Sequence, residues 1–333
     1  MSYGALEPTV SFIIPVFNER PNIARLVEAL NQFAASARRR WGFRFDAIFI
    51  DDGSVDGSRE ALLAAVSPHV TLRVLRFSRN FGKELALSAG LQSASADAVV
   101  MLDADLQHPI DVVESFLQAW HEEGYDVVYA YGQDAVPEPP LKRAMRRIYY
   151  RILNATSDVE ISGSVGDFQL MSRRAYQALT RLGEHERFMK GLYRWIGFRQ
   201  KGVPYKPAPR HAGETKYSML KLWALGINGI TSFTTLPLRA ASWIGVLLAC
   251  LSGGYGLWTV VEKLAFGIDV PGYPTLITII GFIGAGQFLF LGIIGEYLAK
   301  VLMEVKQRPL YIIESDDLLV AAPQPVHRDA LVQ

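Results

Sequence analysis

Two apolar stretches, Ala240 to Val261 and Leu276 to Tyr297, constrain this 333-residue chain more than any other feature. As helices rising 1.5 Å per residue, each covers about 30 Å, the thickness of a bilayer's hydrocarbon core. Inside lipid every backbone N–H and C=O must be satisfied within the segment, which leaves the helix as the available form. A core helix of a soluble domain rarely runs so long with so little charge. Half of the residues are hydrophobic although 20% are charged, and the apolar excess sits in these two stretches. Between them, residues 262–273 hold one lysine and no arginine, whereas Arg239 precedes the pair and Lys300, Lys306 and Arg308 follow it. The positive-inside rule then puts both termini in the cytoplasm and the short loop outside, in an inner (cytoplasmic) membrane. Gly281, Gly284, Gly292 and Gly295 would let helices pack closely, within one chain or in a homo-oligomer.

Ahead of these stretches, the first ~130 residues alternate between strand and helix patterns. Strands are expected at Val10–Ile14, Asp46–Ile50, Val70–Phe77, Asp97–Leu102 and Tyr125–Tyr131. Helices are expected at Pro21–Ala37, Ser58–Val66 and Gly82–Ser93, with a fourth beginning at Pro109, a favoured first helical residue. Such alternation predicts an α/β fold with a mostly parallel sheet and helices on both faces. A net charge of +1 provides no global basic field and argues against nucleic acid as a partner. The single cysteine, Cys250, permits no disulfide framework and fits a reducing compartment. Met1 to Thr9 shows neither the basic nor the apolar region of a signal peptide.

Polar clusters follow three of the strands: residues 15–19 (PVFNE), 51–57 (DDGSVDG) and 103–107 (DADLQ). In open α/β sheets, ligands bind at the carboxyl ends of strands. Asp103 and Asp105 end an apolar strand there, and hard oxygen donors at that place suit Mg²⁺ or Mn²⁺ shared with nucleotide phosphates. Taken singly, each cluster reads equally as turn and helix-capping chemistry; three on one sheet edge point to a site. Neither G-x-G-x-x-G nor G-x-x-x-x-G-K-[ST] occurs, so acidic side chains and a metal, not a glycine-rich nest, would hold the nucleotide. Farther on, Arg143, Arg147 and Arg151 recur every four positions beside Leu141, Met145, Ile148 and Ile152. On a helix this gives a basic amphipathic face suited to an anionic membrane surface, or to gripping a phosphate monoester. Tyr217 to Ile230 mixes Leu220, Leu222, Trp223 and Leu225 with Lys221, as an interfacial helix does.

Together with FGKE at 81–84, GDFQLMSRRA at 166–175 and GETKYS at 213–218, the three clusters resemble glycosyltransferase family 2 with the GT-A fold. The likeness is to its polyprenyl-phosphate glycosyltransferases, which include dolichyl-phosphate mannose synthase and bactoprenol glucosyltransferase, and it extends over about residues 8–312. It implies a GT-A catalytic domain at 1–215, amphipathic juxtamembrane helices at 216–238, a two-helix transmembrane domain at 239–300 and a cytoplasmic tail at 301–333. By resemblance, Pro15, Phe17 and Glu19 would line the base and ribose pocket. Asp52 would read the base, with Gly53 and Ser54 beside it, and Lys83 would reach the nucleotide. Asp103 would hold the nucleotide sugar; Asp105, with Asp103 and Gln107, would ligate the metal. Arg143, Arg147, Arg151, Arg210 and Lys216 would bind the lipid phosphate, and the tail beyond Asp316 would be disordered.

Asp167 matches the aspartate often taken as the family's base. A phosphate acceptor with a second pKa near 6 is already largely deprotonated, so orienting the acceptor or metal is the expected role. The implied reaction is a metal-dependent single displacement with inversion, carrying a sugar from a UDP-sugar to undecaprenyl phosphate for cell-envelope glycosylation. A processive polysaccharide synthase is the alternative enzyme; it would carry Q-x-x-R-W, but Gly191 stands three before Arg194-Trp195. A non-catalytic nucleotide-binding membrane scaffold would need the acids lost, and they are present. A transporter would need a polar intramembrane path that two apolar spans do not offer.

Overall fold

A computed structural model describes residues 7–132, 151, 165–184, 187, 189–206, 236–266 and 272–319. The elements run β1 (Thr9–Val16), α1 (Arg20–Trp41), β2 (Arg44–Asp51), α2 (Ser58–Leu63), β3 (Val70–Phe77), α3 (Lys83–Ser93), β4 (Ala98–Met101) and α4 (Val112–His121). There follow β5 (Val127–Gly132), β6 (Val165–Ser172), α5 (Arg173–Thr180), α6 (Met189–Trp195), β7 (Gln200–Tyr205), α7 (Leu236–Phe266), α8 (Tyr273–Lys306) and β8 (Ile313–Leu319). They fall into two compact units. One takes in residues 1–150, 159–217 and 309–333, the other residues 151–158 and 218–308.

The first unit is built on an eight-stranded sheet in the order β7-β5-β6-β4-β1-β2-β3-β8. Its centre matches expectation: β4, β1, β2 and β3 are parallel neighbours, and their apolar runs are almost wholly buried, as strands covered on both faces must be. Phe12, Phe33 and Phe45 pack ring to ring, with centroids 5.8 to 6.1 Å apart. On the opposite face α3 lies so close that a Cβ at Gly90 would come within 2.7 Å of the Ile50 side chain.

The sheet is mostly parallel, as expected, but mixed: six of its eight strands run one way and two run against them. β6 inserts antiparallel between β4 and β5, and β8 closes the far edge antiparallel to β3. Both strands lie beyond the alternating region on which the parallel reading rested.

β8 corrects the reading of a disordered tail for residues 317–319 only; residues 320–333 lie outside the described residues. The sequence of β8, IESDDLL, has no apolar alternation and two adjacent acids, which local propensity counts against a strand. Charge pairing holds it instead. Arg73 grips Asp316 with two hydrogen bonds of 2.8 and 2.7 Å, Arg59 reaches Asp317 at 3.0 Å, and Arg76 reaches Glu314 at 3.0 Å. The Tyr311 ring stacks on Phe77 at 4.9 Å, just before the strand begins. The β3 edge is thereby covered rather than left as an open template.

α4 starts at Val112 rather than Pro109; the intervening residues form tight turns in which the amides of Val112, Val113 and Glu114 bond three residues back. In the second unit, α7 and α8 contain the two expected apolar stretches and run past them at both ends. Both are long and apolar enough to cross a membrane. Trp258 is 66% exposed and Phe288 77%, so large apolar side chains stand on the surface of both helices. The interfacial stretch Tyr217 to Ile230 lies outside the described residues.

Candidate active site

The loops after β1, β2 and β4 meet at the carboxyl edge of the parallel strands. Two of them are stitched together. Asn18, at a left-handed φ of 57°, donates its N–H to Ser54 Oγ at 3.0 Å and accepts the Val55 N–H at 2.9 Å. Glu19 N–H donates to Ser58 Oγ, and Arg20 N–H to Asp56. Asp51, fully buried, accepts the Ser54 N–H at 2.8 Å. Gly53 sits at φ 74°, where a Cβ would fall 2.7 Å from the backbone of Arg79. Gly53 and Ser54 therefore build the loops that carry the site and do not line it.

A cleft of about 280 Å³ opens beside these loops, lined by Pro15, Phe17, Glu19, Asp52, Lys83, Asp103 and Asp105, all expected site residues, together with Val16, Asn80, Gly82 and Ala104. Asp52 uses both carboxylate oxygens on the next loop, accepting the Phe81 N–H at 2.6 Å and the Gly82 N–H at 2.9 Å. Burial lifts its pKa above the usual aspartate value, against those two bonds. Held in this way, the loop sets Lys83 as the first residue of α3. The Lys83 ammonium then contacts Asp103 at 2.6 Å and Asp167, on β6, at 2.8 Å. Burial opposes the lysine's charge, but the two carboxylates outweigh it and hold the ammonium well above the ordinary lysine value. Tyr193, on α6, donates its hydroxyl to Asp167 at 3.4 Å.

Asp105 accepts the Gln107 N–H at 3.1 Å across Leu106, whose φ of 59° is a costly conformation for a branched side chain. Burial lifts the pKa of Glu19, opposed by a hydrogen bond from Asn22 and reinforced by Asp105 and Asp103. Four acids, Glu19, Asp52, Asp103 and Asp105, thus line the cleft with one lysine. An anionic ligand entering such a rim would be favoured by a further counter-charge. Among the described residues no three ligating side chains form a ready cage. That donor set fits a hard divalent cation, which binds through one or two carboxylates and completes its shell with substrate phosphates and water.

The reading of the sequence did not select two further groups. His108 accepts the Asp103 N–H through Nδ1 at 3.3 Å and stacks on Phe168 at 4.6 Å; burial depresses its pKa, so the ring is neutral. Its place directly after DADLQ was the only signal. Glu84, next to Lys83 in FGKE, is pushed up to about 7 by burial and then by Asp167.

Because the folded value lies above the ordinary 4.5, the folded state binds this proton more tightly. The resulting stabilisation is full below about pH 4.5 and is lost as pH rises through about 7. Glu84→Gln, which mimics the protonated acid, is expected to match the parent at pH 4 and exceed its stability at pH 8 by on the order of 3 kcal/mol. Thermal unfolding at the two pH values checks this; an equal difference at both would contradict it.

Of the proposed lipid-phosphate ligands, Arg143, Arg147, Arg210 and Lys216 lie outside the described residues, and Arg151 is helical and exposed. Gln107 stands beside Asp105 without lining the cleft.

The sequence also compares closely with known proteins. The model of glycosyl transferase family 2 matches residues 11–180, and that of the GtrB C-terminal hairpin matches residues 236–301. The SfII prophage-derived bactoprenol glucosyl transferase of Shigella flexneri is 39% identical over 305 residues, covering 92% of this chain and 97% of the relative. The bactoprenol glucosyl transferase of Shigella phage SfV is 39% identical over 307 residues, 92% of this chain and 98% of the relative. A glycosyltransferase of Synechocystis is 37% identical over 308 residues, 91% of this chain and 94% of the relative. With an acid-lined cleft at the strand ends and this likeness over nine-tenths of its length, the chain belongs to glycosyltransferase family 2.

Proposed function

We propose that the chain transfers one sugar from a UDP-sugar to a polyprenyl phosphate, undecaprenyl phosphate in particular, with inversion, at the cytoplasmic face of the inner membrane. The observation that carries this reading is the match, along 92% of the chain, to relatives named bactoprenol glucosyl transferase, a span that takes in both the acid-lined cleft and the apolar hairpin. Phe17, 45% exposed on the cleft rim, offers a ring face for the base to stack on. Pro15 and Glu19 flank it, and Asp103 holds the sugar-nucleotide. A divalent cation, held by Asp105 with Asp103 and Gln107 beside the diphosphate, would neutralise charge on the departing nucleoside diphosphate.

The acceptor phosphate is largely a dianion at neutral pH and needs little proton removal. Asp167, fixed on Lys83 and Tyr193, serves in this reading to orient the reacting groups rather than as a base. Arg143, Arg147, Arg151, Arg210 and Lys216 hold the lipid phosphate in line, and the basic residues flanking the hairpin keep both termini in the cytoplasm.

The test incubates the full-length protein in membranes with undecaprenyl phosphate and a panel of nucleotide sugars, then determines the mass of the lipid product and, by NMR, its anomeric configuration. One added sugar of inverted configuration, lost on EDTA treatment, is the expected result. A polymer, a retained configuration, or no lipid-linked product would refute the proposal.

A further inference from the structure

The geometry at Lys83 leads beyond substrate contact. Its ammonium lies within ion-pair distance of two carboxylates, 2.6 Å from Asp103 in the loop after β4 and 2.8 Å from Asp167 on β6. In charge terms it stands where a cation bound to this rim would stand. A free divalent ion approaching Asp103 must therefore displace, or sit beside, a like charge at close range. An ion arriving with a nucleoside diphosphate meets no such obstacle, because the phosphate oxygens offer the ammonium new partners. Lys83 lines the cleft and its side chain is 43% exposed, so it can turn towards a ligand there.

We infer that Lys83 is a resident counter-cation that closes Asp103 to free divalent ions and yields it only when a nucleoside diphosphate takes the ammonium. Metal binding then depends on nucleotide, and loading of the cleft has a built-in order. The inference rests on the reading of the cleft as a nucleotide-sugar site, and deepens it.

The experiment measures free Mn²⁺ by electron paramagnetic resonance with the full-length protein in detergent, first without nucleotide and then with UDP. The parent is expected to bind Mn²⁺ weakly alone and at least tenfold more tightly with UDP. Lys83→Met and Lys83→Gln should bind Mn²⁺ alone at least tenfold more tightly than the parent. Lys83→Arg, which keeps the charge, should behave as the parent, and Asp103→Asn combined with Lys83→Met should lose the gain. Two neutral variants guard against a folding defect in either one. Unchanged or weaker Mn²⁺ binding in both would overturn the inference. A protein that shows the expected binding yet makes no lipid-linked sugar would refute the proposed function and leave the role of Lys83 standing.

Discussion

Asp105→Asn is expected to lower sugar transfer by on the order of 10³-fold, the scale associated with removing one preorganised electrostatic group from a transition state. The substitution separates charge from geometry. The asparagine carbonyl can still accept the Gln107 N–H now bonded at 3.1 Å, so the turn through Leu106 survives. What disappears is the negative charge that would hold a cation against the diphosphate. The melting temperature should stay within a few degrees of the parent, because Asp105 lies on the cleft wall and not in the apolar core. Asp105→Ala should show the same loss of rate and a further decrease in stability of about 1 kcal/mol from the lost turn bond. Initial rates of lipid-product formation and thermal unfolding on the same preparations check both. Retention of a tenth of parent activity by the asparagine variant would rule out this role for Asp105.

The second large effect is expected at Asp52, and it sets two roles against each other. By resemblance this residue reads the base; in the structure it is 3% exposed and both its oxygens accept backbone N–H groups, from Phe81 and Gly82. Asp52→Ala leaves two donors without their partner, at about 1 to 3 kcal/mol each. It also frees the turn that launches α3, and with it the Lys83 ammonium. A displacement near 1 Å at such a group costs on the order of 10²-fold in rate. The expected result is therefore a protein less stable by about 2 to 6 kcal/mol, with kcat/KM reduced about a hundredfold for every nucleotide sugar tested. A residue that only read the base would raise KM for one nucleotide and leave unfolding unchanged. That pattern would return Asp52 to base recognition.

How much could be read in advance differs from residue to residue. Val70–Phe77 is a strand with the bounds its β-branched, apolar pattern predicts. Both apolar stretches are helices, since length and hydropathy are properties of the segment alone. The clusters at 15–19, 51–57 and 103–107 do meet, because parallel strands put all their carboxyl ends on one edge. Within DDGSVDG, however, composition does not distinguish Asp52, which lines the cleft, from Ser54, which is buried beneath Asn18. A shift of two residues along a loop turns a side chain from the cleft wall into the body of the loop. β8 was invisible because its acids weaken the strand pattern, and its hold comes from arginines more than two hundred residues earlier.

Sequence by itself determined the local matters: where the chain is apolar enough to be helix in a membrane, where buried strands end, and that acids cluster at those ends. Only the tertiary structure decided that Lys83 joins Asp103 to Asp167, that Asp52 holds the loop bearing Lys83, and that the sheet is mixed. The physical reason is range. Hydropathy and backbone preference act over a few residues, whereas an ion pair falls off with distance in space and takes no account of separation along the chain.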